Sequence, residues 1–194
     1  MEKTPKILAF AGSQREASLH KKLVKIAAAG ARQAGAEVTF IDFQDLPMPL
    51  FDQDLQDREG LPETVLQFKQ LLKTHDGFLI ASPEYNSSIT PLLKNAIDWA
   101  SRSEPGEPPL ALTCFRGKVA ALMATSPGGL GGLRGLFHVR SILESIGVLV
   151  IPEQKTLPNG YQIFDTDGNL KDEQQQQDVL GLGESLTSLL KKLL

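Results

Sequence analysis

The segment Ala9-Phe10-Ala11-Gly12-Ser13-Gln14-Arg15-Glu16-Ala17-Ser18-Leu19-His20 passes from an apolar run, through a polar loop, into the start of a helical pattern. That arrangement suits an anion with several oxygens. First-turn amides of a helix lack intrahelical partners and sit at the positive end of the helix dipole, so a phosphate satisfies both. Arg15 adds a full charge and a donor fork, and Ser13 and Ser18 add hydroxyl donors. The same residues also read as an ordinary strand-to-helix turn with Ser18 as N-cap. The segment has neither the Gly-Lys-Ser/Thr ending of a triphosphate-binding loop nor the Gly-x-Gly-x-x-Gly of a dinucleotide fingerprint. A terminal monophosphate therefore fits better than an internal pyrophosphate, which needs the close backbone approach of paired glycines.

Two further loops carry chemistry of a different kind. Pro83-Glu84-Tyr85-Asn86-Ser87-Ser88 is a poor core segment and a good ligand edge. Its amides can hydrogen-bond the rim of a flat heterocycle with Tyr85 packed beside it, although a turn with an exposed Tyr and a capping Asn is the plain alternative. Ser126-Pro127-Gly128-Gly129-Leu130-Gly131-Gly132-Leu133-Arg134-Gly135 offers side-chain-free backbone that can approach a planar ring and donate N–H groups to its edge. Arg134 stands where a dinucleotide fingerprint needs its third glycine. A purely structural loop is the alternative here too.

Other chemistries find no anchor. His20, His75 and His138 are scattered without metal-ligand spacing, so no metal site is expected. No Gly-x-Ser-x-Gly elbow is present. Asp165-Thr166-Asp167-Gly168-Asn169 places its glycine too early for a calcium loop and reads as a turn. No side chain is assigned as catalytic acid, base or nucleophile.

The elements that must position these loops follow from periodicity. Lys6 to Ala11 reads as a buried strand, and Leu19, Leu23, Ile26 and Ala27 share one helical face that Gly35 closes. Glu37 to Phe43 is a second strand, followed by a long irregular segment bracketed by Pro47, Pro49 and Pro62. Pro62 to Lys73 is a helix and Gly77 to Ser82 a third strand. Thr90-Pro91 starts a helix through Trp99 with a Thr N-cap and Pro at the first helical position. Lys118 to Ala124 is a fourth strand, a helix ends near Ile146-Gly147, Val148 to Ile151 is a short fifth strand, and Leu182, Leu186, Leu189, Leu190 and Leu193 stripe a C-terminal helix. This alternation predicts an α/β fold: a flavodoxin-like three-layer sandwich with a five-stranded parallel sheet of order 2-1-3-4-5 and helices on both faces. Residues 1–194 are expected to form one such domain. In that order the three polar loops follow strands 1, 3 and 4 and converge on one crevice.

Composition bounds the partners. With 41% hydrophobic and 22% charged residues and a net charge of −3, the chain reads as soluble and globular, and neither nucleic acid nor an anionic membrane is an expected partner. Cys114 is the one cysteine, so no internal disulfide forms, and it reads as a passive residue of a reducing compartment. The apolar run before Gly12 is too short for a signal-peptide core or a membrane span, which points to the cytoplasm. Gln174 to Gln177 reads as a solvated helix face.

The chain resembles the NADPH-dependent FMN reductase family, which includes quinone, azo-dye and chromate reductases. The pieces that carry the likeness are Gly12 to Ser18, Pro83-Glu84-Tyr85-Asn86, the run Leu92-Leu93-Lys94-Asn95-Ala96-Ile97-Asp98-Trp99, and Ser126-Pro127-Gly128-Gly129. Leu46-Pro47-Met48-Pro49-Leu50-Phe51 is similar to that family's loop near the flavin, whereas His20 stands where the family often has Asn. The resemblance implies that Ser13, Arg15, Ser18 and the amides of Leu19 and His20 hold an FMN phosphate. Pro83, Glu84, Tyr85 and Asn86 would line the isoalloxazine, and Ser126, Gly128 and Gly129 would border its other edge. It implies NADPH, or alternatively NADH, as co-substrate, ping-pong hydride transfer to a small-molecule electron acceptor, and a homodimer or homotetramer with flavin near the subunit interface. Exposure of Trp99 or Phe51 would fit such an interface, and core packing of Trp99 is the alternative. A flavodoxin-type electron carrier and a flavin-sensing protein without turnover are the competing readings.

Overall fold

The computed structural model describes residues 3–194. Strands β1 (Lys6–Ala11), β2 (Glu37–Ile41), β3 (Gly77–Ala81), β4 (Val119–Thr125) and β5 (Leu149–Leu157) form one parallel sheet of order β2-β1-β3-β4-β5. This is the expected order. Side chains alternate across the sheet, so Ile7, Ala9 and Ala11 of β1 enter one core and Leu8 and Phe10 the other. The first core is closed by α1 (Leu19–Gln33) and α6 (Glu173–Leu193). The second is closed by α3 (Glu63–Thr74), α4 (Pro91–Ala100) and α5 (Leu133–Ser145). Because both faces are covered, every residue of β3 and β4 is buried, which explains their unbroken apolar runs.

Two contacts fix the layers that carry the site. Helices α1 and α6 cross backbone to backbone, because a Cβ on Gly183 would stand 1.9 Å from the Ala27 carbonyl oxygen. At the start of α4 the Thr90 hydroxyl oxygen accepts from the Leu93 amide at 3.2 Å and its hydrogen goes to the Gly12 carbonyl at 2.8 Å. The expected N-cap therefore also ties α4 to the end of β1.

Several expected boundaries are corrected. β2 stops at Ile41, short of Phe43, whose ring is buried edge-on against Phe10 and Phe68 at centroid distances of 5.7 and 5.3 Å. The segment read as irregular contains α2 (Gln53–Glu59), capped by Asp52 and without a buried residue, so no apolar stripe announced it. α3 begins at Glu63 with Pro62 as its cap, and β3 ends at Ala81. β5 extends past the expected end at Ile151. Val150 pairs with Ala120 and Gln154 with Leu122, so the strand bulges around Pro152, which has no N–H to donate. The edge position of β5 tolerates this, and Arg140 donates to the Val150 and Ile151 carbonyls at 3.1 and 2.8 Å.

Candidate functional site

The loops after β1, β3 and β4 meet at a cavity of about 130 Å³ at the carboxyl ends of the strands. Arg15, Ser18, Leu19 and His20 line it from the first loop and α1, and Pro83, Glu84 and Tyr85 from the second. Thr125, Ser126 and Pro127 line it from the third. Of the residues anticipated from sequence, Ser13, Asn86, Gly128 and Gly129 stand outside this lining.

The first loop is stiff. Ser18 caps α1 by accepting from the Lys21 amide at 3.4 Å, which leaves its hydroxyl hydrogen free for a ligand. Ser13 is buried, and its hydroxyl accepts from the Arg15 amide at 3.3 Å. Lys21 holds the loop from below by pairing with Asp42 and donating to the Gln14 carbonyl at 3.3 Å. Arg15 is exposed, and among the described residues its guanidinium has no partner. Leu19 and His20 occupy the first two helical positions, where amides have no intrahelical acceptor. The His20 ring is buried, its Nε2 accepts from the Thr125 amide at 3.2 Å, and burial pushes its pKa from 6.5 down to about 4.

The second loop is built as a tight turn. Tyr85 and Ser88 exchange backbone hydrogen bonds at 2.9 and 3.0 Å, and Asn86 and Ser87 have φ of 50° and 66°. Two left-handed residues in that position make the I′ type of turn, which favours Asn. Asn86 is exposed and Tyr85 half exposed. Glu84 lines the cavity while its carboxylate turns to α5, where it accepts from Arg134 and from the Gly135 amide. Burial opposes its charge, but the Gly135 amide and Arg134 outweigh that and hold the carboxyl below its ordinary range. The α5 N-cap is Gly132, which has no side chain, so Glu84 supplies the missing acceptor.

In the third loop the glycines divide into two kinds. Gly131 and Gly132 have φ of 60° and 88°, and a Cβ on either would come within 2.7 Å of Leu157 N or Ala124 Cβ. Close packing requires them. Gly128 and Gly129, next to the lining residue Pro127, are exposed, and a Cβ on Gly128 would meet only the Ser126 hydroxyl at 3.9 Å and one on Gly129 nothing.

Tyr161 also lines the cavity and was missed in the sequence. It is delivered by a turn beyond β5: Gly160 donates to the Ser126 carbonyl at 2.9 Å, and a Cβ there would stand 2.7 Å from the Thr125 hydroxyl. The signal was Pro158-Asn159-Gly160, a turn immediately before an aromatic residue. Nearby, the Pro49 carbonyl accepts from Asn95 at 2.9 Å and from the Trp99 indole at 2.8 Å, and the Phe51 amide donates to Asn95 at 2.8 Å. Trp99 is fully buried and belongs to the core, while Phe51 is half-buried edge-on against it. Cys114 is buried, which raises its thiol pKa and keeps it protonated and inert. A roomier cleft of about 470 Å³ lies along the outer side of α1, but Lys22, Lys25, Glu16 and Asp167 give it walls of both signs.

A doubly wound parallel sheet with a phosphate-type loop after β1 and flat-rimmed loops after β3 and β4 defines a flavodoxin-like nucleotide-binding protein. Residues 5–162 match the model of the NADPH-dependent FMN reductases, and the chain belongs to that family. It is 35% identical over 193 residues to an NAD(P)H:quinone oxidoreductase of Solanum tuberosum, covering 97% of this chain and 94% of the relative. It is 33% identical over 189 residues to an NAD(P)H-dependent FMN reductase of Pseudomonas aeruginosa, covering 97% and 96%. The solved structure of FerB, a flavoenzyme NAD(P)H:(acceptor) oxidoreductase from Paracoccus denitrificans, superposes with a TM-score of 0.78 at 27% identity, covering 97% and 98%. The protein is thus an oxidoreductase of a family that works with FMN and a reduced nicotinamide nucleotide. The chemistry of its first loop suits such a group, because an exposed guanidinium and two first-turn residues of α1, Leu19 and His20, line the same cavity. Among the described residues no helix is long and apolar enough to cross a membrane.

Proposed function

We propose that this protein passes hydride from NADPH, with NADH as the alternative donor, through FMN held in the three-loop cavity to a small oxidant of the quinone class. Azo compounds, metal oxyanions and free flavin are chemically equivalent acceptors. The observation that carries the reading is the convergence of three strand-end loops of different chemistry on one cavity. Bound FMN supplies the hydride chemistry, and donor and acceptor use its open face in turn, a ping-pong order. The chain's own task is placement. Ser13, Arg15, Ser18 and the Leu19 and His20 amides grip the phosphate, Pro83, Glu84, Tyr85 and Asn86 form the edge under the ring, and Ser126, Gly128 and Gly129 border the other side. Amides along these edges stabilise negative charge that develops on the ring.

No side chain is assigned as acid or base: the Glu84 carboxylate is committed to α5, and burial lowers the His20 pKa to about 4. Exposed Leu130 on the third loop and Phe137 on α5 support association of copies into a dimer or tetramer beside the flavin. A single, buried cysteine is consistent with a cytoplasmic setting. The test is anaerobic addition of NADPH to the FMN-loaded protein. Prompt bleaching of the flavin's visible absorbance, followed by parallel double-reciprocal lines with a quinone, is the expected result. Protein that stays colourless after incubation with FMN overturns the reading, and loaded protein that NADPH does not bleach is an electron carrier instead.

A further inference from the structure

We infer that Tyr161 is a further flavin-binding residue, whose ring packs along the polyol arm that joins the isoalloxazine to its phosphate. This rests on the FMN reading above and adds to it a residue from beyond the three loops.

The backbone that carries Tyr161 is held on both sides. Gly160 donates its amide to the Ser126 carbonyl at 2.9 Å, and Gln162 donates its own to the Asn159 carbonyl at 2.8 Å. Upstream, the Leu157 carbonyl accepts from the Ser126 amide at 3.2 Å and from the Thr125 hydroxyl at 2.8 Å, so the turn is tied to the end of β4. Gly160 occupies a corner that no side chain could share. A Cβ there would stand 2.7 Å from the Thr125 hydroxyl oxygen, 3.1 Å from Leu19 Cδ1 and 3.4 Å from the Ser126 carbonyl oxygen.

That corner lies between the two ends of the cofactor. Leu19 opens α1, the helix whose first turn takes the phosphate, and Ser126 belongs to the loop that borders the ring in the reading above. A residue delivered between them meets the stretch that connects phosphate to ring. Tyr161 lines the cavity there while 68% of it is exposed, so it has a large face still to cover. The chain has two tyrosines, and both of them, Tyr85 and Tyr161, line this cavity. They follow β3 and β5, the strands on either side of β4, and so flank the wall formed by Thr125, Ser126 and Pro127. A polyol shows C–H groups and hydroxyls along its length, and a tyrosine matches both with an apolar face and a polar tip. The ring has only two torsions to fix, so a rigid turn presents it at low entropic cost.

Nitration of the full-length, flavin-free protein with tetranitromethane, mapped by peptide mass, tests the contact in the wild-type chain and needs no variant to fold. Both tyrosines should react in the free protein. FMN and riboflavin should slow nitration of Tyr161 several-fold, whereas lumiflavin, which lacks the polyol arm, and inorganic phosphate should leave it unchanged. Tyr161→Ala should weaken binding of FMN and riboflavin alike, by roughly tenfold, with lumiflavin binding and the thermal melt of the free protein unchanged. Tyr161→Phe, which keeps the ring, should recover most of the loss. Nitration of Tyr161 that riboflavin does not slow, protection by lumiflavin or by phosphate alone, or an Ala variant that binds riboflavin as the wild type does, overturns the role of Tyr161 and leaves the FMN reading standing. Failure of FMN to bind the wild-type protein overturns both.

Discussion

The amide of Gly135 donates to one carboxylate oxygen of Glu84 at 3.0 Å, so the loop after β3 and the first turn of α5 are a single mechanical unit. Arg134 completes the clamp with donors at 3.0 and 2.7 Å to the other oxygen. Two walls of the cavity are thereby set relative to one another by a single carboxylate that also lines it.

Glu84→Ala should remove the cap of α5 and lower stability by about 1–2 kcal/mol, read by urea titration. Most of this belongs to the amide contact, because Arg134 is more than half exposed and its ion pair is screened. The Glu84 carboxyl is held below its ordinary range, so the clamp contributes fully above that range and is lost as pH falls through the lowered value. An Ala variant as stable as wild type at pH 7 would show that the clamp holds nothing.

Arg15→Ala should raise the FMN dissociation constant by about tenfold or more and change stability by less than about 0.5 kcal/mol. The side chain is exposed, and among the described residues its guanidinium has no hydrogen-bond or ion-pair partner, so the ligand should notice its loss far more than the fold. Flavin fluorescence titration beside a thermal melt measures both quantities.

Asn95→Ala should free the segment from Pro47 to Phe51. It removes a donor to the Pro49 carbonyl and the acceptor of the Phe51 amide, a cost of about 1–3 kcal/mol. Trp99 still holds Pro49, so the fold should survive while limited proteolysis between Leu46 and Phe51 accelerates.

His20 gives the protein a specific acid sensitivity. Its folded pKa is lowered, from 6.5 to about 4, so between those values the unfolded chain binds a proton that the native state refuses. Stability should therefore fall as pH drops from 6.5 to 4, by roughly 3 kcal/mol from this group. His20→Asn should flatten the curve over that window, and identical pH profiles for the two proteins would refute the assignment.

Gly183→Ala should cost about 3 kcal/mol, because its methyl would overlap the Ala27 carbonyl where α1 and α6 touch. Gly181, two residues earlier on α6, has open space, and its Ala variant should be neutral or slightly stabilising. Chemical denaturation of the pair isolates close packing from helix propensity.

Local patterns alone are enough for the strand order, the three-layer sheet and the polar loops after β1, β3 and β4. Buried strands such as Phe78-Leu79-Ile80 and caps such as Thr90-Pro91 act within a few residues of themselves. α2 was illegible because it buries nothing, and the bulged half of β5 because Pro152 looks like an ending. The long-range contacts of individual loop residues emerge only on folding. Glu84 reaches a partner 51 residues away, the Thr125 amide reaches the His20 ring across 105, and Tyr161 enters the cavity on a turn docked against β4. Periodicity tells which face a side chain takes, whereas a hydrogen bond between distant segments exists only once packing has brought donor and acceptor within about 3 Å.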